Sequence, residues 1–87
     1  MMAEIDPRIQ AQAPSDDTVT YYDRQHFLTY ARLIDAAEEG ADWQKSAASI
    51  LYRDVESDPA AAELCYRSHL ARARWIVDAG LGDLEYQ

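Results

Sequence analysis

Basic side chains are scarce in this 87-residue chain: eight lysines and arginines stand against sixteen aspartates and glutamates, a formal charge of -8 at pH 7. A field of that sign repels phosphate backbones and anionic membrane surfaces, which disfavours DNA and lipid and favours basic proteins as partners. Cysteine is almost missing. The single thiol, Cys65, has no partner for an internal disulfide, and its place among helix formers reads as a packed thiol rather than a reactive one. Glycine is down to three residues, Gly40, Gly80 and Gly82. Each falls where a helix is expected to end, so no glycine-rich loop is left to cradle phosphate. No run approaches the roughly 18 consecutive apolar residues of a membrane span. MMAEIDPRIQ has neither the basic nor the apolar region of a secretory leader, so a cytoplasmic protein is expected.

Converging catalytic groups are lacking as well. His26 and His69 fall on different predicted helices with no cysteine or histidine at ligand spacing, and they read as ordinary surface or half-buried residues. Ser46, Ser49 and Ser68 lie inside helices with no nucleophile elbow around them. The acid-rich stretch DVESDPAAAEL has neither the alternating oxygen ligands nor the central glycine of a calcium loop. The expectation is a protein without enzymatic activity, metal or cofactor.

What the chain does hold is helix-forming material. Hydrophobic residues make up 48% of it, including six tyrosines and two tryptophans, enough for one small core. Nothing shows strand alternation or repeats, and the pattern predicts an all-α fold: a small helical bundle of three main helices with a helix-turn-helix-like arrangement. Residues 1–17 carry two prolines and no sustained period and read as a flexible N-terminal arm, in which Ile5 and Ile9 are available to dock; residues 18–87 form the helical domain. Thr20 with Asp23 reads as a capping box, and Phe27, Tyr30, Ala31, Ile34 and Ala37 recur at helical spacing up to Gly40, predicting a first helix over 21–39. Asp42 starts a second, with Trp43, Ala47, Ile50 and Leu51 on one face, ending near Tyr52. Asp58 and Pro59 start a third that runs unbroken to Ala79, largely apolar around its circumference, with Trp75 as a core anchor alongside Trp43. The tail LGDLEYQ can fold Leu81 and Leu84 back onto the bundle.

The position at which a DNA reader would meet phosphates instead carries Asp54, Glu56, Asp58 and Glu63, with no lysine or arginine from Asp54 to Tyr66. These acids read either as a solvated turn that favours the positive end of the next helix or as a protein-binding edge. With Tyr52, Tyr66 and Arg67 as neighbouring anchors they form the candidate partner-binding set, although core packing is the stronger reading for Tyr66.

Three stretches, YARLIDAAEEGADW, DWQKSAASILYRD and ARWIVDAGLGDL, resemble a helix-turn-helix-variant family long catalogued as a proteobacterial domain of unknown function. Gly40, Asp42, Trp43, Ala47, Ala48 and Leu51 match its middle motif; Ile76, Val77, Gly80, Leu81 and Leu84 match its end. Some members activate excision and transfer genes of integrative and conjugative elements by binding DNA. The QseM-like antiactivators, stand-alone and acidic, bind the activators instead. The resemblance implies a chain of the second kind, one that sequesters a LuxR-type quorum-sensing regulator and the related domain-fusion activator; a monomer or weak dimer is expected. The competing reading is a DNA-binding regulator using Lys45, Arg53, Arg67, Arg72 and Arg74, which requires those five to gather on one face.

Overall fold

Four α-helices carry the fold in the computed structural model, which describes residues 9–80, and no strand forms among them. They are α1 (Tyr21–Gln25), α2 (Phe27–Glu38), α3 (Trp43–Ser49) and α4 (Pro59–Trp75), the last continuing as a π-helical turn, Ile76–Gly80. The architecture is the all-α bundle expected, with α3, the following turn and α4 making the helix-turn-helix-like unit. Ile5, Leu81 and Leu84, whose docking was expected or allowed, lie outside the described residues.

Local capping chemistry sets three of the helix ends. The Thr20 hydroxyl accepts from the Asp23 N–H at 3.1 Å while the Asp23 carboxylate accepts from the Thr20 N–H at 2.8 Å, a reciprocal capping box. Asp58 accepts from the Ala61 N–H at 3.1 Å, with Pro59 in the first turn, where a missing N–H costs nothing. Asp42 holds the N-cap position of α3 without a side-chain bond to the backbone. At the end of α2, Gly40 takes φ +80, and the Gly40 and Ala41 N–H groups bond back to the carbonyls of Ala37 and Ala36. That is a Schellman closure, and its left-handed residue favours glycine.

The predicted first helix is interrupted at His26. The His26 ring Nδ1 donates to the Tyr22 carbonyl at 2.7 Å, and that carbonyl is the one the His26 backbone N–H would take in an unbroken helix. The N–H turns instead to the Asp23 carbonyl at 3.0 Å, and His26 leaves helical geometry at φ -115, ψ 20.

The second predicted helix also stops early, at Ser49, and Tyr52 sits at φ 59 while the Arg53 N–H reaches back to the Ala47 carbonyl. A left-handed conformation costs an L-residue roughly 1 to 2 kcal/mol, and the Tyr52 side chain is 63% exposed, so little burial offsets it. Tyr52→Gly should therefore leave the melting temperature unchanged or raise it by up to about 4 °C, the strain relief exceeding the entropy glycine adds to the unfolded chain. A clear fall on thermal melting would show that the ring packs.

Two apolar clusters lie between the helices. Leu33, Ala47, Leu51, Ala62, Cys65 and Tyr66 form the first, with Ile9, Trp43, Ile50, Val55 and Leu70 packed on it; Tyr30, Ala73 and Ile76 form the second, with Val19, Phe27, Ile34 and Trp75 around it. Both tryptophans are half-buried at cluster edges, so Trp75 is less of an anchor than its size suggests. Ala62, Cys65, Tyr66, His69, Arg72, Ala73 and Ile76 form the buried side of the last helix, leaving Leu64 and Val77 exposed. Residues 9–17, read from the sequence as a flexible arm, lie against this side. Their backbone meets donors and acceptors on Arg53, Tyr22, Cys65, Ser68 and Arg72 that the absence of a sequence period did not reveal.

Candidate functional site

The seven residues of the candidate partner-binding set have different structural duties. Asp54 closes the turn: its carboxylate accepts from the Glu56 and Ser57 N–H groups at 3.2 and 3.1 Å and from the Ser57 hydroxyl at 2.7 Å. The Ser57 hydroxyl, followed by the Ser57 amide, holds the Asp54 carboxyl below the usual carboxylate range. Asp58 is occupied as the α4 cap. Glu63 and Arg67, one turn apart on α4, pair with each other at 2.7 Å with substantial exposure, an interaction worth a few tenths of a kcal/mol at most. Tyr66 is withdrawn from the surface at 7% exposure, its ring tilted against Trp43 with centroids 6.2 Å apart, because its position on α4 turns toward α3. Tyr52 and Glu56 are exposed, and among the described residues no side-chain hydrogen bond engages either.

The acids still face solvent at Asp54, Glu56 and Asp58, so their field reaches an approaching partner even where their oxygens hold the chain's own amides. Asp54 and Glu56 also line an open groove of about 500 Å³ with Gln44, Lys45, Ala48, Arg53 and Val55. The turn and α3 thus build one shared concavity, and Lys45 is its exposed cation.

The five cations of the competing reading do not gather. Arg72 is buried, Arg53 passes under residues 9–17 to donate to the Ile9 carbonyl, and Arg67 is paired with Glu63. Lys45 and Arg74 remain exposed, on α3 and near the end of α4 respectively.

A buried polar cluster joins α1, α2 and α4, and sequence reading missed it. Asp23, wholly buried, accepts from Arg72 at 2.7 to 3.2 Å, from the Tyr30 hydroxyl at 2.7 Å and from Thr20. Arg72 spends its other donors on the carbonyls of Asp16 at 2.6 Å and Thr18 at 2.9 Å, and its guanidinium lies 4.2 Å from the Trp75 ring centroid. Burial pushes the Asp23 carboxyl up, but the bonds from Arg72, Thr20 and Tyr30 outweigh it and hold it at about 2. The bond to Asp23 raises Arg72, and burial followed by the Asp23 contact raises Tyr30.

His26 and His69, read as surface or half-buried residues, are 1% and 0% exposed. His69 Nδ1 donates to the Cys65 carbonyl at 2.7 Å, which leaves Nε2 to accept from the Tyr22 hydroxyl at 2.6 Å. The Tyr22 oxygen in turn accepts from the Gln10 N–H at 3.0 Å, and the Cys65 thiol donates to the Gln10 carbonyl at 3.4 Å, closing a ring of bonds. Burial pushes the Cys65 thiol up, so it remains a protonated donor rather than a nucleophile. The missed signal was periodic: His69 and Arg72 continue the spacing of Ala62, Cys65 and Tyr66, but a search for apolar side chains passes over them.

Among the described residues no group of three or more histidine, cysteine, aspartate or glutamate side chains is placed to hold a metal, and no helix is long and apolar enough to cross a membrane. Compared with family models and with curated proteins, the chain matches none.

Proposed function

We propose that this chain is an antiactivator, a binding module that sequesters transcriptional activators of conjugative element transfer, of the LuxR quorum-sensing type and the related domain-fusion type, by protein contact alone. One observation carries the reading: a helix-turn-helix-like unit presents carboxylates at its turn, while Arg72 and Arg53, two of its five candidate phosphate-binding cations, are spent on the interior and on residues 9–17. A surface charged in this way draws a basic protein and repels DNA, and charge of this kind sets encounter rate more than final affinity. Tyr52 is the exposed aromatic beside that edge, suited to serve as an anchor.

Co-purification with a LuxR-type activator, set against a mobility shift on DNA at low salt, tests the reading. Capture of the activator without a DNA shift supports it, and a DNA shift without capture favours the DNA-binding regulator.

Reversing Asp54 would break the turn it closes, so Glu56→Lys isolates the electrostatic contribution. Glu56 is exposed and its side chain makes no hydrogen bond among the described residues, so stability should change by no more than about 0.5 kcal/mol. Association with the activator at low salt should slow several-fold and lose part of its salt dependence. An unchanged association rate in stopped-flow measurements would mark the acids as a solvated turn and move the contact to another face.

A further inference from the structure

We propose that residues 9–13 form a strap whose seat on the bundle requires neutral His69, so that a single proton taken up by this buried imidazole releases the segment. The geometry of the bond ring carries the inference. A carbonyl only accepts, so the 2.7 Å contact with the Cys65 carbonyl places a hydrogen on Nδ1, and Nε2 offers a lone pair to the Tyr22 hydroxyl at 2.6 Å. That bond orients the phenol so that its oxygen receives the Gln10 N–H. A proton on Nε2 would set two donors head to head. The half-buried phenol must then turn its hydrogen away from His69, which gives up the orientation in which its oxygen receives the Gln10 N–H.

The surroundings of His69 set the direction of the response. Tyr22 and Asp23 face it from α1, His26 from the junction, Tyr30 from α2 with ring centroids 6.4 Å apart, Arg53 from the turn, and Cys65 from its own helix. Burial disfavours the charged ring first; His26 and Arg53 add to this, while the Cys65 carbonyl and Asp23 oppose it, and the result lies below the ordinary imidazole value of 6.5. A lowered folded value means that the neutral, seated form prevails above about 6.5 and is lost as pH falls through the folded value.

Release is local because the two ends of the segment are held differently. Arg72 keeps the Asp16 and Thr18 carbonyls, which makes that end the hinge. Gln10 depends on Tyr22 and Cys65, and the Ala13 N–H on the Ser68 hydroxyl, which shares the Cys65 carbonyl with His69. Once free, the segment uncovers the apolar seat of Ile9 and releases the Arg53 guanidinium from the Ile9 carbonyl.

Amide exchange resolved by NMR between pH 8 and pH 5, expressed as protection factors, tests the strap on the full chain. Protection at Gln10 and Ala13 should fall roughly tenfold or more on acidification while the amides of α4 keep theirs. Tyr22→Phe should show the reduced protection already at pH 8 and lose the pH response. The proposal is overturned if strap protection is equal at both pH values, if it falls only together with that of α4, or if Tyr22→Phe keeps the wild-type response.

Discussion

Replacing Arg72 with methionine should cost about 3 to 5 kcal/mol of folding stability, the usual consequence of leaving one member of a buried ion pair without its partner. Asp23 is the member left behind, wholly buried and otherwise bonded to Thr20 and Tyr30. Against a total on the order of 5 to 15 kcal/mol for a domain, that loss brings the variant close to unfolding. The two proteins should also respond differently to acid through this residue. In the wild type Asp23 titrates at about 2 against an ordinary value of 3.8, so its contribution of about 2 kcal/mol is present above pH 4 and lost as pH falls toward 2. In the variant, burial is opposed only by the bonds from Thr20 and Tyr30, so Asp23 lies higher than in the wild type and less stability is lost on acidification. Urea midpoints measured from pH 7 to pH 2.5 should show the gap between the proteins narrowing as pH falls. A constant gap would mean that Arg72 acts by packing on Trp75 and not by charge.

Leu33→Ala should cost about 2 to 5 kcal/mol and lower the melting temperature by roughly 10 °C or more. Leu33 has no exposed surface and sits in the first cluster with Leu51, Cys65 and Tyr66, where α2 meets α3 and α4. A cost below about 1 kcal/mol would show that α3 and α4 close over the vacated space, and would make the second cluster, around Tyr30 and Ile76, the main support of the bundle.

The difference between what was legible in the sequence and what was not follows the range of the interactions. Thr20 with Asp23, Gly40, and Asp58 with Pro59 were readable because a cap is decided within four or five residues. The break at His26 was not, since it depends on a ring competing with its own backbone for the Tyr22 carbonyl, which leaves the apolar period undisturbed. Leu33 escaped because the stripe drawn through Tyr30, Ala31 and Ile34 lies to one side of it. His69 and Arg72 escaped for a stronger reason: a histidine and an arginine read as surface residues until their partners are known, and Tyr22 and Asp23 are 47 and 49 positions away. In the candidate site the acidic character of the turn was plain from composition. That Asp54 and Asp58 hold amides, that Glu63 pairs with Arg67 and that Tyr66 faces Trp43 are facts of conformation.

Titrating the purified chain into a LuxR-type activator already bound to its promoter DNA, while following both proteins on the DNA, tests the antiactivator reading most directly. The activator should leave the DNA as the chain approaches stoichiometric amounts, and the chain itself should never join the DNA. An activator that stays in place while the chain binds the same duplex would contradict it.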